Sequence, residues 1–384
     1  MLKKNVSIIE KNDCSGCASC MNVCMHNAIK MKSDDQGFFY PQVEDNTCIG
    51  CGLCVSVCPS QSVTNLKPLK TYAIKKVNDE ERLLSTSGGI ASAIAENFIC
   101  RGGTVYGVIQ TSKGDVLTLR ADNLKEIESF KGSKYVQTYI GYSFSECRED
   151  LLGGKVVAFF GTSCHIDGLL HYLKIRKTNI SNLLTVDLIC HGVPSPQLFK
   201  DYISFLNKRK PVERYECRTK KNGWGNGSQQ FSPTIMYKDG VEECDTLLSR
   251  AWLNLFFSNC CLRPHCYSCP YAGKGRCADI TIADYWGIKD VHPSFFDERG
   301  ISLVISNTLK GDNLLSEISG VKVISSDYDS AVLKQNNAHS PSKMSARYYQ
   351  FWNDYKNHNM EYILRHYTSY NYKQRILSFL KNII

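Results

Sequence analysis

CSGCASCMNVC at 14–24 and CIGCGLCVSVC at 48–58 repeat one spacing, C-x2-C-x2-C-x3-C, with Pro59 directly after the second copy. Two-residue spacers let a tight loop aim three thiolates at one compact, soft metal core, and in two-cluster ferredoxins the distant fourth cysteine crosses to the other core. The spacing therefore assigns Cys14, Cys17, Cys20 and Cys58 to one 4Fe-4S cluster, and Cys48, Cys51, Cys54 and Cys24 to a second. A zinc ribbon would set two C-x2-C pairs further apart. A disulfide framework suits an exported chain, whereas the start, Met1-Leu2-Lys3-Lys4-Asn5-Val6-Ser7, runs into polar residues with no signal-peptide core.

The chain of 384 residues has room for two or three domains, and 43% hydrophobic with 22% charged residues is ordinary for a globular protein with a sizeable core. No apolar run reaches membrane-spanning length, so a cytoplasmic location is expected, where 19 cysteines serve as metal ligands or free thiols. The net charge of +9 points less to nucleic acid than it first suggests. Each cubane with its four thiolates carries roughly two negative charges, which offsets about half of the excess. Lys and Arg are scattered apart from short groups such as Lys208-Arg209-Lys210, and no zinc finger, RNA-recognition signature or long basic run is present, so no nucleic-acid partner is expected.

Residues 1–66 read as a small ferredoxin-like α+β domain, with Gly37-Phe38-Phe39-Tyr40-Pro41 either covering a cluster from water or forming a plain small core. Asn65 to Lys70 reads as a linker. From Tyr72 strands and helices alternate. Strands are expected at Tyr72–Val77, Thr104–Ile109, Asp115–Ala121, Val156–Phe160 and Leu183–Ile189, the last two as apolar runs buried on both faces. A helix is expected over Ile90–Cys100, another is capped by Asp122, and Ser143 with Glu146 makes a capping-box pattern. Tyr237-Lys238-Asp239-Gly240-Val241 signals a hairpin, so the fold class is α/β with a mixed sheet over 72–325. A helical, tyrosine-rich extension over 326–384 carries Tyr348, Tyr349, Phe351, Trp352 and Tyr355 at helical spacing. It closes on an amphipathic stretch at Ile376, Leu377, Phe379, Leu380 and Ile383, for which packing on the core or a partner is the first reading and peripheral membrane contact the second.

Two loops suit an anion and a ring: Ser85-Thr86-Ser87-Gly88-Gly89 before a helix, and Lys131-Gly132-Ser133-Lys134-Tyr135-Val136-Gln137. Either is equally readable as a simple turn or solvated loop, and neither a Rossmann fingerprint nor a P-loop occurs. A second group of cysteines lies at expected turns or strand ends: Cys164 after one buried strand, Cys190 at the end of another, and Cys266 and Cys269 in a C-x2-C pair with Cys260, Cys261 and Cys277 nearby. Cys100 and Cys147 read as small buried hydrophobes.

Taken in order, Cys48 to Cys54, Ser87-Gly88-Gly89, Lys131 to Gln137, Gly161-Thr162-Ser163-Cys164, Cys190-His191-Gly192-Val193-Pro194, Arg263 to Tyr271 and Ala278 to Gly287 resemble the beta-subunit family of coenzyme F420 (deazaflavin) hydrogenases and dehydrogenases, in the form with an N-terminal two-cluster ferredoxin. The resemblance implies an iron-sulfur flavoprotein oxidoreductase, with FAD on Ser87, Gly88, Gly89, Lys131, Gly132, Ser133, Lys134, Tyr135 and Gln137. It also implies electrons passed to a small organic acceptor, and a redox partner such as ferredoxin or another reductase subunit. A third 4Fe-4S cluster is expected on Cys164, Cys190, Cys266 and Cys269, with zinc as the competing occupant and Cys277 as the substitute for Cys164. His165 and His191 are candidate proton donors, as is His265, each also readable as a structural histidine. Met25, Ser163, His165 and Ala283 depart from the family pattern, His165 where it would bear on the acceptor. A non-catalytic electron-transfer subunit is the alternative reading.

Overall fold

The computed structural model describes residues 4–224 and 231–371. Thirteen strands run in chain order: β1 (Ile29–Ser33), β2 (Phe39–Val43), β3 (Lys70–Lys76), β4 (Thr104–Gln110), β5 (Val116–Ala121), β6 (Val157–Phe160), β7 (Leu183–Leu188), β8 (Val212–Thr219), β9 (Ser232–Tyr237), β10 (Glu242–Cys244), β11 (Ile280–Asp284), β12 (Ser302–Ser306) and β13 (Val321–Ser326). Eight of them form one mixed sheet in the order β13-β3-β12-β11-β7-β6-β4-β5. Its centre, β4, β6, β7 and β11, is parallel. Antiparallel β5 closes one side and β12, β3 and β13 the other. The apolar runs in β6 and β7 are buried because helices cover both faces of this centre, the usual condition of parallel strands. The carboxyl ends of β6, β7 and β11 thus open at one edge, where sites assemble in such sheets.

β8, β9 and β10 make a separate antiparallel sheet, with the Tyr237–Val241 turn joining the last two. Against it pack the helices Pro196–Asn207, Leu247–Phe257, Tyr348–Asn357 and Met360–Tyr367, whose apolar faces share one core. Phe38 belongs to that core: fully buried, its ring meets Trp352 edge-on at 5.7 Å. The first 66 residues are therefore pinned into the large body by their own aromatic run. Tyr40 and Pro41 of the same run border a cluster cavity.

Several local expectations are corrected. Asn123, not Asp122, caps the short helix Leu124–Ile127, because its side chain is the one that accepts from Glu126 N. Ser143 opens no capping box; its hydroxyl donates to Thr118 O and Tyr142 takes the cap position. Cys147 is fully buried but Cys100, at the end of its helix, is exposed. The stretch Asn65 to Lys70 is not free: Leu66 pairs with Arg276 in both directions and Leu69 N donates to Ser306 O. Among the described residues no helix is long and apolar enough to cross a membrane, and the Ile376–Ile383 stretch lies outside them.

Candidate functional site

Each N-terminal quartet is built by the same backbone device. Gly16 and Ala18 flank Cys17 at φ of 76° and 63°, and Gly50 and Gly52 flank Cys51 at 72° and 77°. Two left-handed residues around the middle cysteine curl the loop so that its sulfurs converge, and a one-turn helix, Ser19–Val23 or Leu53–Ser56, then carries the third. Cys14, Cys17, Cys20 and Cys58 line one cavity of about 330 Å³, so the crossover cysteine does join the first three. Burial, then Cys58, pushes the Cys17 thiol up to about 11, against a hydrogen bond with Ser19 Oγ at 3.1 Å. In the other quartet Cys51 is exposed, Cys54 is buried, and Asn5 Nδ2 reaches Cys48 Sγ at 4.0 Å. Cys54 and Cys20 share one buried cluster, so the two quartets stand side by side.

Cys164, Cys190, Cys266 and Cys269 meet. They line a second cavity, of about 40 Å³, at the ends of β6 and β7. Burial pushes Cys190 and Cys266 up to about 12, with neighbouring thiols of the same set adding to it. Cys277 is turned away, its sulfur donating to Ser163 O at 3.1 Å. Not all four sit in turns: Cys164 lies in the first turn of the helix Ser163–Ile175 and Cys266 in the 3-10 helix Pro264–Ser268. Among the described residues no three His, Cys, Asp or Glu side chains form a ready site for a single metal ion. What the cavity wall does offer is Arg276, 2% exposed, whose Nε and Nη2 have no partner. A buried guanidinium in that state calls for an anionic acceptor, and a thiolate-ligated cubane supplies one.

The first and third sets adjoin. Gly168 lets the helix Ser163–Ile175, which carries Cys164, close on the loop, since a Cβ there would stand 3.0 Å from Cys17 Sγ. His265 and Tyr271 line both cavities. His265 is buried with neither ring nitrogen hydrogen-bonded to a side chain, and burial beside Arg263 pushes it down to about 4. His165 lines the second cavity and is lowered to about 4 by the same two causes. His191 is held, its Nε2 at 2.7 Å from Asn259 Oδ1 and its Nδ1 at 3.3 Å from Asn337 Oδ1.

From His191 an aromatic chamber leads to the two loops expected to hold a flavin. The imidazole sits edge-on to Phe256 and Phe257 at 4.9 and 5.4 Å, and Phe256 stacks on Tyr135 at 4.6 Å. Arg218, at the end of β8, ties the loops together: it donates to Thr86 O at 3.4 Å and to Tyr135 Oη at 3.5 Å, and it pairs with Asp284 at 2.5 Å. Its guanidinium lies over Phe231 at 4.5 Å and Trp286 at 5.5 Å. Ser87 Oγ donates to Ile301 O and Gly88 N to Ser302 Oγ, and Gly88 has no room for a Cβ, which would stand 2.3 Å from Ile74 O. Gly89 takes the left-handed cap of the helix Ile90–Cys100, and Gly132 is open. Ser133 is half-buried. The Lys131 ammonium pairs with Glu128, and the Lys134 ammonium is capped by the carbonyls of Ser129, Phe130 and Lys131, with burial pushing it down to about 7. Gln137 points elsewhere: its Oε1 accepts from Phe39 N at 3.2 Å and its Nε2 stands against Gly16. Arg218, Phe231, Phe256 and Phe257 are not marked individually by the sequence. Arginine and aromatic residues in strands and helices carry no spacing signal of their own.

Residues 154–328 match the family model that describes the C-terminal part of the coenzyme F420 hydrogenase/dehydrogenase beta subunit. Residues 13–62 match that of the 4Fe-4S dicluster domain. No curated protein matches the chain. Among solved structures, a chain of the xenon-derivatised F420-reducing NiFe hydrogenase complex from Methanosarcina barkeri is similar at 16% identity, covering 71% of this chain and 88% of that chain, with a TM-score of 0.49.

Proposed function

We propose that this chain, which belongs to the coenzyme F420 hydrogenase/dehydrogenase beta-subunit family through residues 154–328 and carries a 4Fe-4S dicluster domain in residues 13–62, is an iron-sulfur flavoprotein oxidoreductase. It would take single electrons from a redox partner and deliver them as pairs to a small organic acceptor. The observation that carries this reading is a contiguous line of candidate sites: Cys54 and Cys20 in one buried cluster, the Cys17 loop against the helix that carries Cys164, the cavity lined by Cys164, Cys190, Cys266 and Cys269, then His191 against the Phe256–Tyr135 stack. When bound, cubanes accept one electron each and FAD accepts two, which is what reducing an organic bond requires.

The chain's own residues divide the remaining work. Cys14, Cys17, Cys20 and Cys58 hold one cubane, Cys24, Cys48, Cys51 and Cys54 a second, and Cys164, Cys190, Cys266 and Cys269 a third. Arg276 offers the third set its unpartnered N–H groups. Ser87, Gly88, Gly89 and the Lys131 to Tyr135 segment hold the flavin. Arg218 keeps the two loops in register, and the surrounding aromatic rings exclude water. Neither candidate proton donor is free: burial beside Arg263 holds His165 down to about 4, and His191 is committed to Asn259 and Asn337.

A second reading, a non-catalytic subunit that passes electrons to a partner enzyme, is favoured by the family's description as a beta subunit. Anaerobically purified protein, supplied with reduced ferredoxin, separates the two. Turnover of a small acceptor by the chain alone supports the enzyme; turnover only after a partner subunit is added supports the carrier.

A further inference from the structure

Among the described residues that line the cavity shared by Cys164, Cys190, Cys266 and Cys269, Arg276 alone has a permanently charged side chain; no Asp, Glu or Lys is among them. Arg276 is buried, so water screens its charge little. Its Nη1 donates to Tyr271 O at 3.1 Å, while Nε and Nη2 meet no acceptor among the described residues. The two fully buried carboxylates nearby in the fold are engaged elsewhere and do not line the cavity: Asp187 Oδ2 accepts from Ser163 Oγ at 2.6 Å, and Asp167 Oδ2 from Tyr271 Oη at 2.8 Å. The backbone of Arg276 is fixed without help from its side chain: its N donates to Leu66 O at 3.0 Å and its O accepts from Leu66 N at 2.5 Å. Two of the three guanidinium nitrogens therefore have no work in the fold itself. A buried donor left unpaired is costly, and a buried charge more so, which is why such a group points to a partner that arrives with a ligand.

Adding an electron to a cubane adds negative charge, which a buried cation beside its sulfurs stabilises. We propose that Arg276 sets the reduction potential of the cluster on Cys164, Cys190, Cys266 and Cys269, its Nε–H and Nη2–H groups donating to cluster sulfur and its charge offsetting the arriving electron. The step moves one electron: the cluster is reduced by one and its donor, a reduced ferredoxin-type cluster, is oxidised by one, with no bond made or broken. Arg276 touches no acceptor molecule. It is a positioning residue, acting on the potential through the cluster's sulfurs. Water is the rival partner for the two nitrogens, since a cavity of about 40 Å³ has room for it. The inference rests on the third-cluster reading and needs neither the flavin nor any particular acceptor.

The test is an EPR-monitored redox titration of the full chain, reconstituted anaerobically, with Cys190→Ser assigning the third cluster's signal. At the wild-type midpoint of that signal, Arg276→Gln should shift the ratio of reduced to oxidised cluster about tenfold toward oxidised, which for one electron is a fall of about 59 mV. Arg276→Lys, which keeps a cation, should show less than half of that fall. In the wild type, isotopic labelling of the arginine guanidinium nitrogens should alter the nuclear modulation of the reduced third-cluster signal, because a nitrogen that donates to cluster sulfur couples to its electron spin. A Gln variant within about twofold of wild type overturns the proposal. A Lys variant that falls as far as the Gln variant also overturns it, since packing and not charge would then be the cause. Where Arg276→Gln fails to load, the labelled wild type decides: an altered modulation sustains the proposal, and an unaltered one overturns it and leaves water as the partner. About eight irons with no third signal in the wild type would instead remove the third-cluster reading beneath it, and the proposal with it.

Discussion

At Gly168 the helix Ser163–Ile175 meets the first cysteine loop, and a methyl group there would stand 2.4 Å from Ser19 Oγ and 3.0 Å from Cys17 Sγ. Gly168→Ala gains helix propensity but overpacks this contact, so a net cost of about 1–3 kcal/mol is expected, together with lower iron retention at Cys14, Cys17, Cys20 and Cys58. Urea unfolding and iron per chain measure both. Asp297 tests the loop that backs Ser87. Burial works to raise its carboxyl, but the Arg299 N–H groups, Lys75 at 3.2 Å and Arg82 at 2.9 Å hold it at about 2. A folded-state value below the ordinary carboxylate range gives stability that is full above about pH 4 and is lost as pH falls through 2. Apo Asp297→Asn should therefore be less stable than wild type by about 1–2 kcal/mol at pH 7, with the gap closing by pH 2 in denaturant titrations. Residues of this kind were not legible in the sequence. Cysteines announce themselves by spacing, whereas Arg263, Arg218 and Arg276 act through burial and partners that lie far along the chain.

Elements bring the far-apart residues together at their ends. β8 delivers Arg218, β11 delivers Asp284, and the turn after β7 delivers Cys190 and His191 to one edge of the mixed sheet. Apolar runs and turn residues made these strands readable, including the Tyr237–Val241 hairpin. Capping at Ser143 and Asp122 is easily misread because Ser, Asp and Asn each offer a local oxygen, and tertiary acceptors such as Thr118 O decide which one caps. The glycine and threonine before Cys164 mark the end of a strand and suggest a turn there, but the helix starts one residue earlier. The Arg218–Asp284 pair holds the chamber together, with Trp224 Nε1 also donating to Asp284 at 2.7 Å. Asp284→Asn strands a buried guanidinium. It should cost about 3–5 kcal/mol and release most of the flavin, as read by urea unfolding and by FAD per chain after gel filtration.

Across the whole molecule, the cavity lined by Cys14, Cys17, Cys20 and Cys58 and the one lined by Cys164, Cys190, Cys266 and Cys269 share His265 and Tyr271, and the aromatic chamber follows the second. The spacing made the first N-terminal quartet legible as a set, and its four cysteines line one cavity. The third was legible as a set of residues but not as a place, because its four cysteines come from turns and helix starts that only the parallel sheet brings to one edge. The seating of Phe38 in the core around Trp352 was not legible at all, since an aromatic run in a small module reads equally well as that module's own core. The central claim is that all three quartets hold cubanes. Iron, acid-labile sulfide and zinc counted on the anaerobically purified full chain test it most directly. The account predicts about twelve irons, about twelve sulfides and no zinc per chain. About eight irons with one zinc, or about eight irons with no zinc, would contradict it at the third quartet.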